Sequence, residues 1–218
     1  MIGRRDMTPS KNLHELSRKY WTCAATSYLG TAAYYDAQEV ALRKVLVRHG
    51  PFASVVDLGC ADGRFTMVAA EHADYALGVD INPALIQYAR ERVSAAHCVR
   101  IGFRVEALDE QPDLGTYALV MCLGVTSCLI APEAFINVVN LVRGCALPGQ
   151  LVLLKDTLSR GEPIMKQSGQ YVAMYRNRDA YLAAWAAAGL HLEQELPLSE
   201  TEVSSNALMV FRVDQSKP

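Results

Sequence analysis

The residues with the clearest chemical potential lie in the segment VVDLGCADGRF, Val55–Phe65, where two glycines stand four positions apart behind an apolar run. A glycine-rich turn after a strand commonly holds a phosphate at the N-terminus of the following helix. Here Asp57 closes the apolar run and Asp62 lies between the glycines, and both would repel a phosphate. The segment therefore predicts a small ligand that approaches the glycine backbone and carries a positive charge.

A third acidic residue, Asp80 in LGVDIN, follows the next apolar run, 23 positions after Asp57. A carboxylate at such a strand end can accept hydrogen bonds from both hydroxyls of a ribose, including that of a nicotinamide dinucleotide. The spacing Gly59-x-Ala61-x-Gly63 differs, however, from the G-x-G-x-x-G of dinucleotide-binding turns. A nicotinamide-dependent oxidoreductase is therefore the weaker alternative, which a titration with NADH would decide.

The elements that must position these residues alternate along the middle of the chain. Segments with strand character are ASVVDL, YALGVD, VRIGFRV, YALVMCL and PGQLVLLKD, and helical segments lie among them. Asn82 and Pro83 supply a cap and a first-turn proline for the helix PALIQYARERVSAA. This alternation predicts a parallel sheet with helices on both faces, whose ligands bind beyond the carboxyl ends of the strands.

The pattern changes after the fifth strand. LSRGEPIMKQSGQ is predicted as a loop, NRDAYLAAWAAAG as a helix on which Tyr181 and Trp185 pack against the sheet, and LHLEQELPL and NALMVFRV as a closing hairpin. We expect an α/β three-layer sandwich with a mostly parallel seven-stranded sheet and a C-terminal antiparallel hairpin. It forms one domain with an N-terminal helical lid (1–52), a ligand-binding core (53–156) and a substrate-side loop, helix and hairpin (157–218).

Bulk composition excludes several classes of protein. A net charge of -2 with 20% charged residues argues against nucleic-acid binding by electrostatics. No apolar run is long enough to cross a bilayer, and MIGRRDMTPSKNLHEL lacks the apolar centre of a signal peptide. The six cysteines form no CxxC pair and are expected to be mostly buried, unpaired thiols in a reducing cytoplasm. These features predict a cytoplasmic monomer or homodimer with no membrane or nucleic-acid partner and no metal.

The segment VVDLGCADG resembles the first motif of class I S-adenosylmethionine-dependent methyltransferases, in which Asp or Glu precedes Gly-x-Gly-x-Gly. Ala61 replaces the middle glycine. S-adenosylmethionine carries an ammonium and a sulfonium but no phosphate, which suits the charge of Asp57. The resemblance extends over about residues 52–156. It implies a Rossmann-like fold, S-adenosylmethionine as cofactor and S-adenosylhomocysteine as product.

The resemblance also implies individual cofactor contacts. An acidic residue after the third strand would receive the adenine amino group, with apolar neighbours against the ring. Glu106 aligns best, followed by Ala107 and Leu108, and Asp109 is the alternative. Arg64 would pair with the methionyl carboxylate, or else lie on a helix surface. The predicted cofactor-binding residues are Tyr20, Trp21, Asp57, Gly59, Ala61, Gly63, Arg64, Asp80, Ile81, Glu106, Ala107, Leu108, Cys122 and Leu123.

The candidates on the acceptor side are aromatic, acidic and basic residues outside the sheet. Methyl transfer is an in-line displacement that requires an aligned lone pair and the handling of one proton. Asp156, at the end of the fifth strand, and Tyr175 are predicted as catalytic. Arg176 and Arg178 would bind an anionic group, or are simply solvated. The predicted substrate-binding residues are Tyr34, Tyr35, Tyr171, Arg176 and Arg178.

Two short segments bear on the acceptor. The Tyr-Trp pair in RKYWTC and the turn KDT are similar to a Tyr-Trp pair and a Lys-Asp-Asn turn in protein N-terminal amine methyltransferases. We predict methyl transfer to a nitrogen or oxygen of a small molecule, with the N-terminal amine of a peptide or protein as the alternative. A non-catalytic methyltransferase-like scaffold is the alternative from another class. The intact residues Asp57, Gly59, Gly63 and Asp80 argue against it.

Overall fold

The computed structural model describes residues 11–95 and 100–215; residues 1–10, 96–99 and 216–218 lie outside the described residues, as do Cys98 and most of the segment considered as a signal peptide. The helices within these ranges are α1 Lys11–Cys23, α2 Ala32–His49, α3 Arg64–Ala70, α4 Pro83–Ala95, α5 Pro132–Cys145 and α6 Arg178–Ala187. The strands are β1 Val55–Leu58, β2 Ala76–Asp80, β3 Ile101–Val105, β4 Tyr117–Leu123, β5 Ala146–Ser159, β6 Ile164–Ser168, β7 Tyr171–Tyr175, β8 Leu190–Glu200 and β9 Ser204–Val213. Short 3-10 turns cover Leu108–Glu110 and Thr126–Cys128.

Seven strands form one sheet in the order β3-β2-β1-β4-β5-β9-β8. The strands β1 to β5 run parallel, and β9 lies antiparallel between β5 and β8. The predicted fold class is therefore confirmed. Because the parallel strands end at one edge, the ends of β1, β2, β4 and β5 converge there, and residues at these ends can share a site.

Helices cover both faces of the sheet, as the strand–helix alternation predicts. On one face, α5 and α6 pack on alternate residues of the strands, and Tyr181 and Trp185 are fully buried in that layer. On the other face, α2 and α3 pack around Leu46 and Val68. The alternation along β1, with Val55 in one layer and Val56 in the other, follows from the two-residue period of a strand.

The predicted loop LSRGEPIMKQSGQ is wrong in part. Strand β5 continues to Ser159, and β6 and β7 form an antiparallel hairpin that turns at Gly169, whose φ is +59°. The side chains of Lys166–Ser168 are exposed, so β6 lacks the buried alternation by which a strand is recognised in a sequence. The other strand of this hairpin is buried at Val172, whose carbonyl accepts a hydrogen bond from Ser17 on α1.

Asn82 attaches the N-terminal helices to the sheet. Its Nδ2 donates to the carbonyl oxygens of Trp21 and Ala24, each at 2.9 Å, and its side chain is fully buried. Its Oδ1 accepts from the backbone N–H groups of Ala84 and Leu85 and so caps α4. One side chain therefore fixes both the start of α4 and the end of α1 above the carboxyl edge of the sheet.

The described helices and cysteines can also be set against the requirements for a membrane span, a disulfide bond and a metal site. None of the helices there has the length and apolar character needed to cross a bilayer. The five described cysteines are unpaired: Cys60, Cys122 and Cys145 are buried, Cys128 is partly buried and Cys23 is exposed. In the same ranges, no group of His, Cys, Asp and Glu is arranged to hold a metal ion.

Candidate active site

A cavity of about 590 Å³ opens at the carboxyl edge of the sheet. Its walls are formed by the glycine loop, the ends of β1, β2, β4 and β5, the helices α1 and α2 with the segment between them, and the β6–β7 hairpin. This volume is within the usual range of small-molecule sites. The sequence-predicted residues that line it are Trp21, Tyr34, Tyr35, Asp57, Gly59, Ala61, Arg64, Asp80, Ile81, Leu108, Leu123, Asp156, Tyr171 and Tyr175.

Seven predicted residues do not line the cavity: Tyr20, Gly63, Glu106, Ala107, Cys122, Arg176 and Arg178. Cys122 faces the α5–α6 layer because it alternates with Leu123, which does line the cavity. Tyr20 stands behind the wall with its ring edge-on to Trp21 and Tyr171, at centroid distances of 5.1 and 5.7 Å. It supports two lining aromatics without reaching the cavity.

The glycine loop after β1 adopts left-handed backbone conformations. Gly59 has φ +81°, and a Cβ there would lie 2.2 Å from Cγ2 of Val125, so only glycine fits. Ala61 has φ +51°, which is unfavourable for a residue with a side chain. Its backbone N–H donates to Oδ2 of Asp80 at 2.9 Å and so helps to hold this conformation. The loop and the acid at the end of β2 are thus directly bonded to each other.

Asp57, at the cavity wall, is 2% exposed, and its Oδ2 accepts from the hydroxyl of Thr66 on α3 at 2.6 Å. Burial, with the nearby charges of Asp80 and Asp62, raises the pKa of Asp57 to about 7. A cation bound next to Asp57 would favour the charged carboxylate and lower this pKa. The residue is therefore suited to binding an ammonium group of a ligand.

Asp80 lines the cavity from the end of β2. Its Oδ1 accepts from the N–H of Asn82 and its Oδ2 from the N–H of Ala61, both at 2.9 Å. Burial raises the pKa of Asp80, and these backbone donors oppose the shift. Each carboxylate oxygen has a second lone pair, so Asp80 retains the capacity to accept from two ligand hydroxyls.

The structure favours Asp109 over Glu106 as the acidic residue at the third strand end. Glu106 lies two residues beyond Arg104 on the same side of the strand, and the two form an ion pair at 2.6 Å, away from the cavity. The 3-10 turn that follows brings Leu108 and Asp109 to the cavity wall. His14 at 3.1 Å, with the charge of Arg18, holds the pKa of Asp109 below its usual range.

Arg64 lines the cavity, but its guanidinium already has carboxylate partners. It contacts Asp36 at 2.6 Å and Glu39 at 3.1 Å, and both belong to α2. Of the two predicted roles, this geometry favours the structural one, in which Arg64 ties α3 to α2. Because Asp36 and Glu39 occupy the guanidinium, it is not free to bind a ligand carboxylate.

Asp156 is fully buried at the end of β5, and protein donors occupy its carboxylate. Oδ2 accepts from the hydroxyls of Thr126 at 2.6 Å and Tyr181 at 3.2 Å, and Oδ1 accepts from the N–H of Ser127 at 3.0 Å. Burial raises the pKa of Asp156. These bonds fix the 3-10 turn that forms part of the cavity wall. They favour a positioning role over the predicted contact with an acceptor.

The two predicted arginines have structural partners. Arg176 donates to the carbonyl oxygens of Thr126 and Leu129, and its guanidinium lies 4.1 Å from the ring centre of Phe135. Arg178 pairs with Glu195 at 2.6 Å. The proposed role of both in gripping an anionic substrate is therefore not supported, because neither lines the cavity and both cations are already engaged.

Lys155 lines the cavity and was not among the predicted residues. Its Nζ lies 5.1 Å from the ring centre of Tyr34, and it has no ion-pair partner among the described residues. Burial lowers the pKa of Lys155, while the charge of Asp156 opposes the shift. Lys155 and Asp156 are successive residues of a strand and point to opposite faces of the sheet. The KDT segment of the sequence could have indicated Lys155, since Lys155 and Asp156 both lie at the end of the predicted fifth strand.

Comparison with known proteins relates this geometry to a family. Residues 55–149 match the methyltransferase domain family. No curated protein is significantly similar to the chain in sequence. The family match supports the class I S-adenosylmethionine-dependent methyltransferase that the Asp57 motif predicts, and the order of the strands agrees with it.

Solved structures of low sequence identity share the fold. The N-methyltransferase NodS from Bradyrhizobium japonicum in complex with S-adenosylhomocysteine has a TM-score of 0.70 and 15% identity, over 93% of this chain and 98% of that one. The 1,6-didemethyltoxoflavin-N1-methyltransferase of Burkholderia thailandensis has a TM-score of 0.73 and 14% identity, over 98% and 93%. An O-methyltransferase from a polyketide synthase of Brevibacillus brevis has a TM-score of 0.67 and 11% identity, over 80% and 72%.

Proposed function

We propose that this protein transfers a methyl group from S-adenosylmethionine to a nitrogen or oxygen of a small-molecule acceptor. The observation that carries the proposal is the continuity of one cavity. Asp57 and Asp80 line it together with the tyrosines 34, 171 and 175. The similar structures include one solved with bound 1,6-didemethyltoxoflavin and S-adenosylhomocysteine, and they include both N- and O-methyltransferases.

The cofactor side of the cavity has suitable groups for each part of S-adenosylmethionine. Asp57 would bind the ammonium, Asp80 the ribose hydroxyls, and the apolar residues Ile81 and Leu108 would contact the adenine ring. When bound, the cofactor supplies a methyl group on a sulfonium that is already electrophilic. The chain therefore needs to orient the acceptor and exclude water.

The acceptor side is lined by aromatic rings with polar edges. The face of Tyr171 can attract the positive sulfonium, and Trp21 packs edge-on against Tyr171 at 6.0 Å to close the wall. Burial raises the pKa of Tyr175. Its hydroxyl is therefore neutral at physiological pH and can hydrogen-bond the acceptor, which is the role we propose for it in place of Asp156.

Calorimetry with S-adenosylhomocysteine tests this proposal. We expect binding to the wild type, and we expect Asp57→Ala and Asp80→Ala each to weaken it by about 1–3 kcal/mol, because a charged or hydrogen-bonded ligand group loses its partner. Glu106→Ala is the matched control: it removes an acidic residue that lies outside the cavity. Absence of binding to the wild type, or an equal loss in the control, would contradict the proposal.

A further inference from the structure

Hydrogen-bond donors without acceptors face the side of the cavity near α2. Gln38 is 6% exposed and lines the cavity, and its Nε2 has no hydrogen-bond partner among the described residues. The ammonium of Lys155 lines the same cavity, and no carboxylate of the described residues lies within ion-pair distance of it. Donors that line a cavity usually have a partner, so the lack of an ion-pair partner at Lys155 points to a ligand.

These donors belong to one wall. Tyr34 and Gln38 are four residues apart on α2 and therefore lie on the same side of the helix. The ammonium of Lys155 is 5.1 Å from the ring centre of Tyr34. Burial raises the pKa of Tyr34 to about 12, so its hydroxyl remains neutral and can donate as well. The ammonium of Lys155 thus lies beside the turn of α2 that carries Tyr34.

The acidic residues nearby are occupied elsewhere. On α2, Asp36 and Glu39 both pair with Arg64. On β5, Asp156 also lines the cavity, but its carboxylate already accepts from three protein donors. Lys155 is partly buried and has no carboxylate at ion-pair distance, so only the more distant charge of Asp156 offsets the cost of removing its ammonium from water. A negatively charged ligand group would remove this cost.

We propose that the methyl acceptor is an anion whose carboxylate, or other anionic oxygen, binds Lys155 on the side of the cavity that Tyr34 and Gln38 also line. This inference rests on the proposed function and names the substrate class for the same site. It disfavours a cationic acceptor, such as the N-terminal ammonium of a peptide. Among the described residues, the buried acid near Lys155 is Asp156, and its carboxylate already accepts from protein donors. Lys155 is positioned to select the acceptor by charge.

The carboxylate of the cofactor itself is the competing occupant of this wall. The strand order places β5 two strands away from β1, the strand that carries Asp57. Since neighbouring strands lie about 4.8 Å apart, this separates the two strand ends by roughly 10 Å. The side chain of Lys155 extends toward Gly124, which follows the intervening strand β4, so the experiment below includes the cofactor carboxylate as a competing occupant.

The test uses protein saturated with S-adenosylhomocysteine and three probes of one shape: benzoate, benzamide and benzylammonium. Binding is followed by ligand-observed NMR. We expect benzoate to bind more tightly than the other two, and Lys155→Met to weaken benzoate by about tenfold or more, as expected for the loss of a charge-assisted hydrogen bond. Lys166→Met is the matched control: Lys166 also lies over a tyrosine ring, at 5.9 Å from Tyr175, but outside the cavity.

Each outcome either supports the inference or contradicts it. Benzoate binding that needs Lys155 but not Lys166 supports it, provided that Lys155→Met keeps its affinity for S-adenosylhomocysteine, which also shows that the variant is folded. Tighter binding of benzylammonium, no benzoate binding, or unchanged benzoate affinity in Lys155→Met would contradict it. A loss of S-adenosylhomocysteine affinity in Lys155→Met assigns the cation to the cofactor instead. Failure of the wild type to bind S-adenosylhomocysteine overturns the proposed function itself.

Discussion

At the scale of single residues, Asp57 combines a negative charge with almost complete burial. Its hydroxyl partner Thr66 satisfies one oxygen, but the nearest other charges, Asp80 and Asp62, are of the same sign. Without a cation the carboxyl group is therefore easier to protonate in the folded chain than in the unfolded one. Because the pKa of Asp57 is higher in the folded chain, folding is less favourable at any pH at which Asp57 is ionised in the unfolded chain.

The free energy of unfolding should record this effect. The pKa of Asp57 rises from 3.8 to about 7 on folding, so between these values the wild type loses stability as the pH rises. We expect Asp57→Asn to gain stability relative to the wild type between pH 5 and pH 8, measured by urea unfolding without ligand. The exposed Asp74→Asn serves as the control. If the free energies of unfolding of Asp57→Asn and the wild type differ by the same amount at every pH, the raised pKa assigned to Asp57 is contradicted.

The sequence located some residues of the site and not others. Asp57 and Asp80 were predicted because strand ends and a glycine turn fix where such side chains lie. The choice between Glu106 and Asp109 depends on the 3-10 turn over Leu108–Glu110, which no spacing rule specifies. Lys155 was missed because a single basic residue within a strand gives no indication of whether it faces a cavity.

At the scale of elements, the cavity depends on how α1 is held above the sheet. The carbonyl oxygens near its C-terminal end accept from Nδ2 of Asn82, while Oδ1 of the same side chain caps α4. The order of strands and helices was predictable from apolar periodicity. The β6–β7 hairpin was not, because its exposed strand has the composition of a loop.

Two substitutions of Asn82 separate its roles. Asn82→Asp keeps an acceptor for the cap of α4 but removes both donors to α1, whereas Asn82→Ala removes both functions. We expect faster hydrogen exchange near Trp21 and Ala24 in both variants, faster exchange at the start of α4 in Asn82→Ala alone, and a loss of about 1–3 kcal/mol of stability in Asn82→Ala. If the two variants show the same hydrogen exchange both near Trp21 and Ala24 and at the start of α4, Asn82 does not act through these hydrogen bonds.

At the scale of the whole molecule, one cavity draws its walls from both ends of the described chain, from α1 to Ser199 and Ser204 at the β8–β9 turn. A ligand in this cavity contacts elements distant in sequence, so its binding should stabilise the whole fold. The parallel sheet alone would permit several kinds of nucleotide. The charge at the end of β1 is what separates the methyltransferase prediction from a dinucleotide enzyme.

Thermal unfolding tests this distinction. At a hundredfold excess over its Kd, S-adenosylhomocysteine should add about 2.7 kcal/mol. For a chain of 218 residues, this corresponds to a rise of about 5–10 °C in Tm. NADH at the same concentration should leave Tm unchanged, because Asp57 and Asp62 repel its diphosphate. A comparable rise with NADH would reject the charge argument.

The position of β9 between β5 and β8 affects how the protein is made. β5 pairs with β4 on one side, and on the other side its partner is β9, which is synthesised only after β6, β7, α6 and β8. Until β9 leaves the ribosome, the nascent chain exposes the unpaired backbone of a long apolar strand. The interval between translation of β5 and of β9 is therefore when this enzyme is most prone to aggregate and most in need of a chaperone.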